Sequence, residues 1–186
     1  MNLVVAVTGA SGTIYAIRLL EYLKDIEGIN THLIMSKWAI KNLEIETDYS
    51  IDYVYSLATY IHDNDNMAAN ISSGSFITEG MIILPCSMKT LSSISNGFST
   101  NLIDRVADVM LKEGRRLVIS PRETPLSSIH LENMLKLSKM GVKIIPPMPG
   151  FYSSPKSIDD IVNHNVMKIL DSFNINICDE NRWKGI

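Results

Sequence analysis

Along the chain, short uninterrupted apolar runs alternate with amphipathic stretches of helical period. Residues 3–7, Leu-Val-Val-Ala-Val, are apolar throughout, as in a strand buried on both faces. Ile14, Ile17, Leu20 and Leu23, joined by Ala16 and Leu19, then recur at helical spacing. Residues 31–36 read as a second strand and residues 37–44 as a helix. Residues 81–86 read as a third strand stopped by Pro85, 116–121 as a fourth and 142–146 as a fifth. Further helices are predicted over 101–113, over 127–140 with Gly141 as its C-cap, and over 157–173, which opens on a capping-box-like Ser157-Ile158-Asp159-Asp160. The polar cluster 62–66 reads as a turn, and 95–101 as a loop around Asn96-Gly97. Strands alternating with helices imply parallel βαβ units. The expected fold is α/β, a doubly wound, mainly parallel sheet with helices on both faces, in one domain over residues 1–186.

Composition narrows the function classes. The 186 residues are 46% hydrophobic and 20% charged, and 17 basic against 20 acidic residues leave a net charge of −3. A basic excess of the kind that binds nucleic acid is missing. No apolar run approaches the roughly 20 residues needed to cross a bilayer, and the first apolar stretch lacks a charged segment before it. Cys86 and Cys178 are too few for a disulfide framework and have no metal-ligand spacing, so a cytoplasmic protein with reduced thiols is expected. Cys86, in an apolar run, reads as a core residue. His32, His62, His130 and His164 share no ligand spacing, which argues against a metal, and His130 reads as a capping or packing residue.

In a doubly wound sheet, ligands bind beyond the C-terminal ends of the strands, and the chemistry-bearing residues of this sequence follow its strands. Thr8-Gly9-Ala10-Ser11-Gly12 follows the first: glycines permit close approach, helix amides face an anion, and Ser11 adds a hydroxyl. The spacing is neither G-x-G-x-x-G nor a Walker A loop. Ser87-Met88-Lys89-Thr90 follows the third strand with two hydroxyls and an ammonium, groups suited to phosphate. Arg122-Glu123, between Pro121 and Pro125, follows the fourth. The arginine can grip phosphate bidentately, and the glutamate can move a proton. The proline- and aromatic-rich 146–152 follows the fifth and reads as an apolar wall.

Taken together, "TGASGTIYAIRLLEYL", "THLIMSKWA", "SSGSFITEGMIILPCSMKTLSSI", "RVADVMLKEGRRLVISPRETPLSSIHLENM" and "IIPPMPGFYSSPKSIDDIV" resemble the flavin prenyltransferase family of the UbiX/Pad type over nearly the whole chain. The resemblance implies a flavodoxin-like (Rossmann-like) flavoprotein that assembles as a homododecamer. It implies metal-free transfer of a dimethylallyl unit, typically from dimethylallyl phosphate, to N5 and C6 of reduced FMN, and delivery of the product to a UbiD-type decarboxylase. By the resemblance, Gly9, Ala10, Ser11, Ser36, Ser87, Met88, Lys89, Thr90 and Arg122 hold FMN. Glu123, Ser11 and Lys112 are catalytic. Tyr152, Lys168, Lys112, Glu46 and Glu123 bind the prenyl phosphate, Glu46 by reaching across a subunit interface. Trp183 matches a C-terminal aromatic near the active site, and the segment from about 174 is expected on a neighbouring subunit or over that site. Lys168 stands where relatives commonly carry arginine; it keeps the charge but loses the planar fork.

Three other readings compete. Related flavoproteins that oxidatively decarboxylate a C-terminal cysteine typically carry P-x-M-N-x-x-M-W, and Met148-Pro149-Gly150-Phe151 offers no such asparagine. A nicotinamide dehydrogenase needs another glycine spacing and an acidic residue where Ser36 ends the second strand. The main alternative is a non-catalytic FMN-binding accessory subunit of a phenolic-acid decarboxylase, against which Glu123, Lys112 and Tyr152 argue.

Overall fold

The structure, a computed structural model, describes residues 1–177 and 182. Six parallel strands form one sheet: β1 (Asn2–Val7), β2 (Asn30–Met35), β3 (Tyr60–Asp63), β4 (Gly80–Cys86), β5 (Arg116–Pro121) and β6 (Lys143–Ile144). Their order is β3-β2-β1-β4-β5-β6. The chain winds outward from β1 in one direction, returns, and winds outward from β4 in the other. The boundary between β1 and β4 is therefore the topological switch point, where such folds open a crevice.

Side-chain alternation along the strands feeds two cores. Leu3, Val5 and Val7 point to one face and pack with α1 (Thr13–Lys24), α2 (Lys37–Glu46), α3 (Ile51–Ser56) and α7 (Ile158–Asp171). Val4 and Ala6 point to the other and pack with α4 (Met88–Ser95), α5 (Leu102–Lys112) and α6 (Ser128–Lys139). Each fully buried Leu or Ile in these layers contributes about 1.5–3 kcal/mol. The expected doubly wound, flavodoxin-like architecture is the one observed.

Four local expectations need correction or addition. The 62–66 stretch is not wholly a turn: its first two residues end β3, a four-residue edge strand that is mostly exposed and so shows no apolar run. Helix α3, capped by Ser50, has a single buried apolar residue, Val54, and gives no periodic signal. Pro85 does not stop β4, because it sits in the register break between Ile83 and Cys86, where the ladder with β5 is already interrupted. Residues 175–177 do not leave the domain, since Ile175 and Ile177 are buried in the α1/α7 core. Capping went as read: Ser157 and Asp160 form a capping box, and His130 closes another with Ser127 at the start of α6.

The β2–β3 edge pairs a buried histidine, His32, with a half-buried one, His62. His32 Nδ1 lies 3.0 Å from His62 Nε2, and the His32 ring stacks on Tyr60 with centroids 4.7 Å apart. Burial, reinforced by His62, holds His32 below its ordinary value, at about 4. The folded protein therefore resists a proton that the unfolded chain accepts. Above pH ~6.5 neither state is charged; as pH falls toward 4, stability is lost. The melting temperature is expected to fall by roughly 5 °C between pH 6.5 and 4.5 from this source, and His32→Leu to flatten that slope. Equal slopes for the two proteins, measured by calorimetry at fixed concentration, would remove His32 as the cause.

Candidate active site

A buried hydroxyl joins the loops at the switch point. Thr8, at the end of β1, donates its hydroxyl to the Pro85 carbonyl (2.8 Å) and accepts the Ser87 N–H (2.7 Å). Its own N–H donates to the Pro85 carbonyl at 3.2 Å, and the Ser36 N–H donates to the Val7 carbonyl at 3.0 Å. The Arg122 N–H reaches the Cys86 carbonyl at 3.1 Å. The loops after β1, β2, β4 and β5 are thus tied to one another through backbone and one side chain.

Between them opens a cleft of about 370 Å³, lined by residues from four strand ends and from the start of α5, among them Gly9, Ser36, Asn64, Ser87, Lys89 and Thr90, together with Asn101 and Asp104. Ser36 and Ser87 cap α2 and α4, accepting the Ala39 and Thr90 N–H groups, so both helices aim their N-terminal ends at the cleft. The donor set is hydroxyls, carboxamides and one ammonium. It fits a phosphate-bearing polyol such as the ribityl phosphate of FMN.

The first loop differs from its expected form. Gly9 is required by packing within the chain: a Cβ there would lie 2.5 Å from Trp38 Cβ, on the first turn of α2. Gly12 adopts φ +108°, which favours glycine. The amides at the start of α1 do not face an open anion site. Gly12 N–H and Thr13 N–H both donate to Glu46 Oε2, at 2.8 and 3.2 Å. Within its own chain Glu46, an exposed residue at the end of α2, meets the first loop, because the positive end of α1 draws its carboxylate.

The remaining expected residues are spread out. Gly9, Ser36, Ser87, Lys89 and Thr90 meet in the cleft, with Met88 beginning α4 beside them. Ala10 is buried in the same loop and Ser11 is exposed. Arg122 and Glu123 are exposed just past β5, and Glu123 Oε1 accepts the Thr124 N–H at 2.9 Å. Lys112 lies elsewhere. It is the last residue of α5, paired with Glu113 beside Gly74, and so stands at the N-terminal end of the sheet. Lys168 is three residues from the end of α7, a helix followed directly by Phe173 packed at Gly80 and Arg116, where β4 and β5 begin. Tyr152 lies on the loop after β6 with its hydroxyl 2.6 Å from His164 Nε2. One chain does not bring Lys112 and Lys168 to the cleft. Trp183 lies outside the described residues, as does Cys178.

Several residues of the cleft carried no sequence signal. Asn64 joins β3 to α5: its carbonyl accepts the Leu102 N–H and its Oδ1 the Ile103 N–H. Asp104 is buried, and its Oδ2 accepts from Ser93, Thr100 and Asn101 while Oδ1 has no partner among the described residues. Burial, with Asp104 nearby, pushes the Cys86 thiol far up, which keeps it protonated and confirms it as a core residue.

A family model described as Flavoprotein matches residues 1–170. Flavin prenyltransferase LpdB of Lactiplantibacillus plantarum is 56% identical over 184 residues, covering 99% of this chain and 98% of that protein. A dodecameric FMN-dependent UbiX-like decarboxylase from Escherichia coli O157:H7 superposes with a TM-score of 0.98 at 52% identity, over 100% of both chains. AnUbiX (PadA1), solved in complex with FMN and dimethylallyl pyrophosphate, superposes with a TM-score of 0.94 at 49% identity, over 100% of this chain and 98% of its own.

The contact at Gly9 gives a direct test. Gly9→Ala must displace Trp38 and with it the Ser36 cap, at an expected cost of about 1–3 kcal/mol. The urea midpoint of the variant should fall accordingly. An unchanged midpoint would mean that α2 accommodates the methyl group without strain.

Proposed function

The chain belongs to the Flavoprotein family and, within it, to the flavin prenyltransferases of the UbiX type, and from that premise we propose how its residues join a dimethylallyl group to N5 and C6 of reduced FMN. The observation that carries the reading is the switch-point cleft, whose hydroxyls, amides and Lys89 suit the ribityl phosphate, with Arg122 and Glu123 just beyond it. Reduced FMN, when bound, supplies the nucleophilic positions that accept the prenyl unit.

Every other requirement falls to side chains of this protein. An allylic phosphate ionises when its departing phosphate is gripped by cations and given a proton, and when water is kept from the delocalised cation. Lys112, Arg122 and Lys168 supply the charge. Glu123, on a loop stiffened by Pro121 and Pro125, supplies the proton to the phosphate. Ser11 moves a proton at the flavin edge, and Tyr152 helps shield the cation. Lys168 holds phosphate as a point charge rather than through a bidentate fork.

The placement of Lys112 and Lys168 away from the cleft argues that neighbouring copies supply them. The surface supports an assembly: Trp38 is 71%, Phe151 70% and Ile158 78% exposed, large apolar side chains of the kind that mark protein interfaces. A homododecamer, the state named for the E. coli O157:H7 relative, is the proposed form. The product would serve a UbiD-type decarboxylase acting on aromatic or unsaturated acids. Among the described residues, no helix is long and apolar enough to cross a membrane, and no group of three His, Cys, Asp or Glu side chains is placed to hold a metal. A cytoplasmic location fits the reading.

Glu123→Gln tests the proton role. The variant should bind FMN as the parent does and lose at least a hundredfold in prenylation rate. Parental turnover with FMN bound would exclude Glu123 as the proton donor. Mixing Glu123→Gln with Lys112→Ala subunits should restore activity above either alone if the site is shared between copies. No restoration after verified subunit exchange would contradict the shared site.

A further inference from the structure

His164, which no functional reading has used so far, is the partner of Tyr152. Its Nε2 lies 2.6 Å from the phenol oxygen, and the two rings meet edge to face, 5.4 Å apart at 79°. The burial of the pair is unequal: Tyr152 is 52% exposed and His164 only 7%. A half-exposed phenol is therefore held by an imidazole fixed in the interior. Gly150 closes the pair from the loop side, where a Cβ would lie 3.1 Å from Tyr152 Cε1 and 3.3 Å from His164 Cε1. The next residue of α7, Asn165, donates from Nδ2 to the Pro146 carbonyl at 3.1 Å. Helix α7 thus pins the loop after β6 at its start through Asn165 and near Tyr152 through His164.

The same helix face carries a cation. His164 and Lys168 are four residues apart, hence neighbours on one face. They line one groove of about 420 Å³ with Lys143, Pro146, Met148 and Asn165. If the phenol swung away from His164, it would leave a buried ring nitrogen without that partner, an arrangement folded proteins avoid.

We propose that His164 is the positioning residue for Tyr152, holding its hydroxyl where it meets the prenyl phosphate beside Lys168. The proposal rests on the reading of Tyr152 and Lys168 as prenyl-phosphate residues. The role is one of orientation. His164 contributes to donor affinity through Tyr152 and leaves the flavin cleft untouched, since none of the cleft-lining residues lies on α7.

The test uses the FMN-loaded, assembled enzyme with dimethylallyl phosphate. His164→Phe keeps a ring and removes Nε2, while His164→Gln returns a polar group near that position. His164→Phe is expected to raise KM for dimethylallyl phosphate about tenfold, the loss of one well-placed hydrogen bond, with kcat within about twofold and FMN affinity by fluorescence quenching unchanged. His164→Gln should recover most of the KM. Tyr152→Phe should raise KM similarly, and the double variant His164→Phe/Tyr152→Phe should be no worse than Tyr152→Phe alone. An unchanged KM in both His164 variants, or additive effects in the double variant, overturns the positioning role while the reading of Tyr152 stands. An unchanged KM in Tyr152→Phe overturns that reading and the proposal with it. If His164→Phe does not fold, His164→Ala is measured in its place: a raised KM with parental FMN affinity, recovered in His164→Gln, supports the proposal, and a parental KM in His164→Ala overturns it.

Discussion

Everything at the functional end of this protein depends on how β1 and β4 finish side by side. The two strands are parallel neighbours although β2 and β3 lie between them in the chain, and the buried Thr8 hydroxyl closes their ends by bonding both Pro85 and Ser87. Exchange of this hydroxyl for a methyl group would strand a buried amide, at a cost of about 1–3 kcal/mol. More than stability is at stake, because the same contact sets where Ser87 caps α4 and where Lys89 and Thr90 begin. Helix α2 is placed against the same point by the Ser36 N–H and by the tight contact between Gly9 and Trp38. The cleft is therefore a product of sheet topology, sharpened by two short-range contacts.

Electrostatics divides the molecule in two. The flavin-suited cleft lies at the C-terminal end of the sheet, and α1 spends its N-terminal amides on Glu46 rather than on a ligand. The helices aimed at the cleft are α2 and α4, each capped by a serine. Lys112 and Lys168 stand toward the other end, on the last turns of α5 and α7, where cations are favoured by the helix carbonyl ends as well. A helix that stabilises a terminal lysine in one copy can present it to the cleft of another. On this account the exposed apolar surface and the divided set of cations have one cause: the site is completed by assembly.

Much of this was legible in the sequence. The continuous apolar runs of β1, β2, β4 and β5 and the long amphipathic helices announced a doubly wound sheet, because strands buried on both faces cannot hide their composition. The loops after those strands announced most of the cleft: Gly9, Ser36, Ser87, Lys89 and Thr90. The short, exposed β3 and the six-residue α3 were not legible, since neither buries enough to impose a period. Asn64, Asn101 and Asp104 were missed for a related reason: each is a single polar residue whose meaning comes from where β3 and α5 meet in space. The contact of Glu46 with the start of α1 was not legible, because it spans 34 residues and leaves no local pattern. His164 read as one of four unrelated histidines; only the fold brings it to Tyr152.

The central claim is that this chain makes a new carbon skeleton on FMN rather than merely carrying the flavin. The most direct measurement is to mix the purified protein anaerobically with reduced FMN and dimethylallyl phosphate, release the flavin and weigh it by mass spectrometry. The account predicts FMN heavier by one dimethylallyl unit. Unmodified FMN bound to the protein, with dimethylallyl diphosphate tried as well, would contradict it and leave an accessory flavin-binding subunit as the better description.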